Sequence, residues 1–325
     1  MKDRVILIVG GAGFIGSHVN KMLNKAGYKT VVLDNLSKGR REAVAYGTFI
    51  EGDLGNTQTL EALFKKHSVD AVMHFAAFID VGESVANPLK YYENNVVNTL
   101  RLLEAMIKYN VKKFIFSSSA AIFGLPQILP LPEDHPSHPI NPYGETKWMV
   151  EKILHDFDVA YGLKSCCLRY FNAAGGDPEG EILNYQTGGT NLIPIVLRSL
   201  KSDAGSVTIF GTDYPTEDGT CVRDYIHIDD LGEAHIKGLT WLLSNGDSCR
   251  FNLGNGRGYS VNEVIQAAEK VTGKTVNVKK GSRRPGDPPL LVADSTLAFK
   301  LLNWKPKYPS LESIIGDAWT ALRSP

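Results

Sequence analysis

Tyr143 and Lys147 stand four residues apart in "NPYGETK", residues 141–147. Side chains at that spacing share one face of a helix. The flanking residues predict such a helix. Asn141 is a good N-cap, Pro142 suits the first helical position, and Met149, Val150, Ile153, Leu154 and Phe157 follow at helical spacing. A phenol beside an ammonium is suited to moving a proton, because the cation favours the phenolate. A surface tyrosine lying along a lysine stem would show the same spacing, so the surroundings must decide. Upstream, "FSSSAAIFG" closes an apolar run. Ser119 there could hydrogen-bond the same hydroxyl that Tyr143 would deprotonate, although serine at a strand end also serves as a turn former.

The N-terminal segment "VILIVGGAGFIGSHV" adds a second kind of chemistry. It reads as a buried strand, a glycine turn and a helix start. Gly10, Gly13 and Gly16 are spaced G-x-x-G-x-x-G, and Gly11, Gly13 and Gly16 also give G-x-G-x-x-G. Glycine permits the sharp turn, lets the backbone approach a pyrophosphate, and lets helix and strand pack closely. The helix N-terminus then offers free N–H groups to phosphate. Asp34 ends the next strand, "TVVLD", where a carboxylate binds ribose hydroxyls and repels an added phosphate; this favours NAD over NADP. Lys38 and Arg40 weaken that exclusion slightly. Asp53, after the third strand, is a further candidate at the adenine end, and turn chemistry would also explain it.

These residues need a frame that brings strand ends together. Apolar, β-branched runs at Val5–Val9, Thr30–Leu33, Thr48–Glu51, Ala71–Phe75, Phe114–Ser118 and Lys164–Arg169 alternate with helical patterns such as Ile15–Ala26 and Asn95–Tyr109. The fold class is therefore α/β: a doubly wound (Rossmann) parallel sheet, with a second, smaller mixed α/β substrate domain. The cofactor domain is expected over residues 1–175, with about 224–248 returning to it. Residues 176–223 and 249–325 are expected to bind substrate. The stretch "AAGGDPEGEILNYQTGGTN" reads as a long, functional loop. A helix over Ile193–Leu200, a strand over Val207–Phe210, and a strand followed by a helix in "RDYIHIDDLGEAHIKGL" come next. "YSVNEVIQAAEKVTG" carries a capping box, Ser260 and Glu263, and stops at Gly273.

Composition narrows the function classes. The chain has 325 residues, 43% of them hydrophobic, enough for a large core. Lys+Arg and Asp+Glu both total 35, so no basic field draws nucleic acid or a membrane surface. Cys166, Cys167, Cys221 and Cys249 fit neither a disulfide framework nor a zinc spacing, and no metal is expected. The apolar start is too short for a signal-peptide core, and no run approaches a membrane span. A reducing, cytoplasmic location is the expectation.

Together, "GGAGFIGSH", "VLDNLS", "HFAAFIDVGES", "YYENNV", "SSSAAIFG", "NPYGETK", "LRYFNAAG", "IFGTDYPTEDGTCVRDYIH", "FNLGNG" and "RRPGD" resemble the UDP-glucose (UDP-galactose) 4-epimerase family, within the extended short-chain dehydrogenase/reductases. The match runs from residue 10 to 287. It implies epimerisation at C4 of a UDP-sugar through a 4-keto intermediate, with tightly bound NAD recycled. In that mechanism Tyr143 takes the proton of the 4-hydroxyl, Ser119 orients that oxygen, and Lys147 with the oxidised nicotinamide keeps the phenolate charged. An unperturbed tyrosine, with a pKa of about 10, would be a poor base at neutral pH.

The resemblance also implies the contact sets. For NAD these are Gly10, Gly13, Phe14, Ile15, Gly16, Asp34, Asn35, Asp53, Leu54, Phe75, Ala76, Ala77, Asn95, Tyr143, Lys147 and Tyr170, with Asn95 also near the hexose. For the UDP-sugar they are Ser119, Asn172, Asn191, Leu192, Phe210, Arg223, Arg284, Asp287 and Leu291. Arg223 and Arg284 fall to the diphosphate, Phe210 to the uracil, Asp287 to the uridine ribose, and Leu291 to the wall of the hexose pocket. Arg223 and Arg284 have acidic neighbours in sequence, so a surface ion pair is the plainer alternative. A leucine at 291, in place of a bulkier tyrosine, implies room for UDP-N-acetylglucosamine. Phe123 replaces a tyrosine usual at its position. The resemblance further implies a homodimer in which the Tyr–Lys helix helps form a four-helix bundle.

Three other readings are weaker. Nucleotide-sugar dehydratases need an acid and a base after the serine, and here those positions are Ala120 and Ala121. UDP-glucuronate decarboxylases need a glutamate in that stretch. A non-catalytic NAD sensor has no use for the Tyr–Lys pair. Specificity for UDP-N-acetylglucosamine or a UDP-pentose stays open.

Overall fold

A computed structural model describes residues 3–182, 191–202, 205–284 and 287–323. In chain order its elements are β1 (Val5–Val9), α1 (Phe14–Lys25), β2 (Lys29–Asp34), β3 (Thr48–Glu51), α2 (Thr57–Lys66), β4 (Ala71–His74), α3 (Val81–Ala86), α4 (Pro88–Tyr92), α5 (Asn98–Lys108), β5 (Lys113–Ser119), α6 (Pro142–Tyr161), β6 (Lys164–Tyr170), β7 (Asn172–Ala174), α7 (Leu192–Ser199), β8 (Val207–Phe210), β9 (Val222–His227), α8 (Ile228–Leu243), β10 (Cys249–Leu253), β11 (Gly258–Ser260), α9 (Val261–Thr272), β12 (Val278–Gly281), β13 (Leu290–Leu291), α10 (Thr296–Leu302) and α11 (Leu311–Arg323).

The chain divides into two compact units. The first comprises residues 1–124, 137–169 and 232–251; the second takes 125–136, 170–231 and 252–325. Residues 125–136 thus leave the N-terminal unit, to which the sequence pattern assigns them. Their reason is a strand-like graft: Leu131 N–H donates to Val292 O, and Asp294 N–H donates back to Leu131 O.

The first unit is built on a seven-stranded sheet ordered β10-β6-β5-β4-β1-β2-β3. The pairings from β5 through β3 are parallel. The chain winds outward from β1 to β3, then restarts at β4 on the other side, so β1 and β4 flank the switch point where such sheets bind ligands. Register aligns the strand ends: Val9 faces both Leu33 and His74, and His74 faces Phe116. Gly10 and Phe75 therefore begin their loops at one level of the sheet, beside Ser117 of β5, which runs on to Ser119. The apolar runs form strands because both faces are covered. Leu7, Val72, Phe114, Leu102, Val150 and Leu154 share one buried cluster.

Helix α6 starts as the sequence predicts. The Asn141 side chain accepts the Gly144 N–H at 2.9 Å, and Pro142 fills the first position. It ends at Gly162 in the left-handed conformation, φ 65°. Before α5, residues 93–97 form a π-helical turn that periodicity does not reveal.

The second unit holds a small sheet, β11-β9-β13, with β7 also paired to β9, and a separate parallel pair, β12-β8. Ala173 and Ala174, expected in a loop, belong to β7, which runs parallel to Tyr225–His227 of β9. Asp177 then closes a turn by accepting N–H groups of Glu179, Glu181 and Ile182. Residues 183–190 of the expected long loop lie outside the described residues. The capping box of α9 is present, with Ser260 and Glu263 bonded reciprocally and Gly273 at φ 68°.

Candidate active site

The glycine turn between β1 and α1 is tight for a steric reason. Gly10 has φ 82°, and a Cβ there would come within 2.5 Å of Ala76 N. A Cβ on Gly16 would meet Gly10 O at 2.3 Å. Both glycines are thus required by close packing of backbone, the turn against the end of β4 and the helix start against the turn. Gly13 caps α1 with no side-chain hydrogen bond, and the first turn holds no acidic residue. The leading N–H groups, those of Phe14 and Ile15 among them, keep a positive end suited to an anion.

A cleft opens beside this turn, lined by Val9, Gly10, Gly13, Leu33, Asp34, Asn35, Asp53, Leu54, Phe75, Ala76 and Ala77. Ser37, Lys38, Gly39, Gly52, Phe78 and Asn94 complete it; Ser37, Phe78 and Asn94 lie inside the matched motifs with no contact expected of them, and Gly39 and Gly52 lie outside those motifs. Asp34 Oδ2 accepts the Ala12 N–H at 2.9 Å and Oδ1 accepts Leu36 N–H at 2.8 Å, which fixes the carboxylate at the rim. Burial raises its pKa, and these two N–H groups act against the rise. Asn35 donates to Asp53 Oδ2 at 2.7 Å. A cradle that admits no Cβ, a free helix end and a ribose-height carboxylate together fit a dinucleotide.

Asn95 stands on the π-helical turn and is buried. Its amide donates to Phe78 O at 3.0 Å and to Thr146 Oγ1 at 3.1 Å, while its oxygen accepts the Phe78 N–H at 2.9 Å. The side chain braces the Phe78 backbone against α6, and its donors are already used. Phe75 packs against His235, with ring centroids 4.9 Å apart. Tyr170, the last residue of β6, is buried.

The Ser119 hydroxyl lies near enough to the Tyr143 phenol to favour its ionised form. Ser119 Oγ also accepts the Ala121 N–H at 3.2 Å, which holds the serine at the start of a short 3-10 turn over residues 120–122. Spacing makes Lys147 a neighbour of the phenol, and the structure agrees while giving its ammonium another hydrogen-bond partner. Lys147 Nζ donates to Ser117 O at 2.7 Å and stands 5.9 Å from the Tyr143 ring centroid. Burial raises the Tyr143 pKa, opposed by the Ser119 hydroxyl. Burial also pushes Lys147 down to about 7, opposed by the Glu151 carboxylate one turn on. The phenol is therefore not activated by these side chains alone.

Within the second unit, Arg223 of β9 sits opposite Leu291 of β13 and Tyr259 of β11. Its Nη2 lies 3.2 Å from Asp287 Oδ1 and its Nη1 donates to Val222 O at 2.9 Å. Asp287, expected on a ribose, here pairs with the arginine. Arg284 stacks on Phe210, its guanidinium carbon 4.0 Å from the ring centroid. Asn172 of β7 donates to Asp224 O at 3.0 Å. Asn191 occupies the N-cap position of α7 with no side-chain cap bond, followed by Leu192. Arg223, Asp287 and Leu291 are thus brought together, Arg284 joins Phe210, and Asn191 with Leu192 stands apart at its helix end.

Comparison with known proteins agrees with this geometry. Residues 6–254 match the model of the NAD dependent epimerase/dehydratase family. The chain belongs to that family. It is 50% identical over 314 residues to a UDP-glucose 4-epimerase of Halalkalibacterium halodurans, covering 97% of this chain and 94% of that one. A crystal structure of UDP-glucose 4-epimerase from Brucella ovis in complex with NAD superposes with TM-score 0.95 at 45% identity, over 98% of both chains. The enzyme from Bifidobacterium longum, solved with NAD+ and UDP, gives TM-score 0.92 at 37% identity, over 98% of this chain and 97% of that one. Among the described residues, no helix is long and apolar enough to cross a membrane, and no His/Cys/Asp/Glu group could hold a metal ion.

Proposed function

We propose that this chain is a UDP-sugar 4-epimerase that interconverts UDP-glucose and UDP-galactose with NAD as resident cofactor. One observation carries the reading. The Ser119–Tyr143 pair, with Lys147 one helical turn on, stands at the carboxyl end of β5 in the same unit as a dinucleotide-shaped cleft.

The glycine turn, the N-terminus of α1 and Asp34 hold the cofactor. When bound, NAD supplies a reversible hydride acceptor and, oxidised, a positive charge. Tyr143 takes the proton of the sugar 4-hydroxyl and returns it to the ketone oxygen of the 4-keto sugar. Ser119 hydrogen-bonds that oxygen throughout. Lys147 keeps a cation beneath the phenolate, within the range where a tyrosine pKa falls. Ala120 and Ala121 carry no proton donor, so the 4-keto sugar has no route to dehydration there. Arg223 and Arg284 hold the diphosphate, a pairing that suits two guanidinium forks. Asp287, Phe210, Asn172, Asn191 and Leu192 complete the nucleotide contacts, and Leu291 bounds the hexose. The functional protein is a homodimer in the cytoplasm; exposed Leu100 of α5 and Val159 of α6 support helix pairing.

The test is purified protein with UDP-galactose and no added NAD, products resolved by chromatography. Epimerisation with deuterium at C4 retained supports the reading. No turnover, or complete loss of that label to water, rejects it.

A further inference from the structure

Three consecutive serines at the end of β5 meet three successive turns of α6. Ser119 acts on the Tyr143 phenol, Ser117 O accepts from Lys147 Nζ at 2.7 Å, and Ser118 Oγ donates to Glu151 Oε1 at 2.6 Å. Tyr143, Lys147 and Glu151 recur every fourth residue and so share one helix face.

Glu151 is 1% exposed. Beyond Ser118 it accepts Arg169 Nε at 2.9 Å and Nη2 at 2.7 Å, and Arg250 Nε stands 3.3 Å away. Burying such a charged group is costly, and well-packed apolar residues often serve stability as well or better. Stability alone does not account for the carboxylate.

We propose that Glu151 is a positioning residue for the Tyr143–Lys147 pair: its charge keeps Lys147 cationic inside the protein, and its bond to Ser118 seats α6 on the end of β5. The inference rests on the epimerase reading above.

The groups around the pair are few. Lys147 is faced by His74 from β4, by Ser117 O and the Phe116 ring (4.9 Å) from β5, and by Tyr143 and Glu151 on α6. Glu151 is faced by Ser118 from β5, Cys167 and Arg169 from β6, and Arg250 from β10. Burial and Lys147 push His74 to about 3, so it stays neutral near pH 7. The Cys167 thiol is raised well above its ordinary range by burial. Of these groups, Glu151 supplies the fixed negative charge. Without it, Lys147 gives up its proton at lower pH, and a neutral amine no longer favours the phenolate.

The experiment compares wild type with Glu151→Gln, which keeps the shape and removes the charge. UDP-galactose turnover is measured against pH and normalised to bound NAD. The alkaline limb of kcat is expected to move down by about one pH unit, with KM little changed. Glu151→Asp, which keeps the charge, is expected to bring the limb back towards wild type. An unmoved limb in folded, NAD-containing Glu151→Gln overturns the proposal. If wild type itself does not epimerise, the functional reading fails instead. The inference is then decided by NMR titration of 13Cε-labelled lysine, with the Lys147 signal assigned through Lys147→Arg. A lower midpoint in Glu151→Gln supports it, and equal midpoints reject it. Should Glu151→Gln not fold, Ser118→Ala, which breaks the seating bond and keeps every charge, takes its place: a fall in kcat with KM little changed supports the positioning role, and an unchanged kcat rejects it.

Discussion

Lys147 gives its ammonium to the Ser117 carbonyl at 2.7 Å, while the Ser119 hydroxyl is the group that favours ionisation of the Tyr143 phenol. The two side chains thus meet different residues on one strand end. Their effects should separate in mutants. Tyr143→Phe removes the proton acceptor but leaves the lysine seated. A fall in kcat of about 10²–10⁴ is expected, with bound NAD near the wild-type amount, read by chromatographic turnover and acid-released cofactor. A loss below about tenfold would show that another group takes the proton.

Lys147 also makes stability depend on pH. Its pKa is about 7 in the fold, against 10.5 ordinarily. Between those values the unfolded chain holds the extra proton, so this term raises stability as pH increases and is fully unfavourable below about 7. Relative to Lys147→Met, the wild type should gain stability from pH 7 to 10, by on the order of a few kcal/mol. Urea denaturation of both proteins across that range checks the slope. A constant difference would mean that the lysine is not held against its ionisation.

Gly10→Ala should strip the cofactor. The new Cβ would fall 2.5 Å from Ala76 N at φ 82°, so the turn must open to admit it. Purified variant is expected to carry less than about one tenth of the wild-type NAD, a cost of roughly 1.4 kcal/mol or more. Cofactor absorbance after acid extraction reports it.

Arg223→Ala should weaken UDP binding by about 10- to 150-fold, the range of one lost charge-assisted contact. The same change frees Asp287, leaving a carboxylate beside an anionic ligand. Calorimetry with UDP measures the loss, and unchanged affinity would assign the diphosphate elsewhere.

Leu291→Tyr should narrow the sugar range. Wild type is expected to turn over UDP-N-acetylglucosamine as well as UDP-galactose. The variant should lose at least about tenfold in kcat/KM for the N-acetylated sugar alone, within the scale of a pocket shape change. Parallel loss on both sugars would remove Leu291 from specificity.

The sheet and the helix ends were legible because their causes are local. "VILIV" has no polar position to offer water, and Asn141-Pro142 and Ser260-x-x-Glu263 carry their own caps. Three features were not. The graft of Leu131 beside Val292 depends on pairing across 161 positions, which no local pattern encodes. The π-helical turn at 93–97 carries Asn95, whose bonds to Phe78 and Thr146 are again long-range. Glu151 shares the spacing of Tyr143 and Lys147 and could have been found by extending that face one turn. Its meaning needs Arg169 and Arg250, which reach it from other strands.

The serine triplet at 117–119 is uniform in letters and unequal in demands. Position 117 gives the lysine only its main-chain carbonyl, so alanine could stand there without disturbing that bond. Positions 118 and 119 contribute hydroxyls to different recipients, a carboxylate and a phenol, and neither can be traded for the other by sliding the register. Drift through this stretch should therefore be lopsided, limited only by size at its first letter and restricted to hydroxyl-bearing residues at the next two.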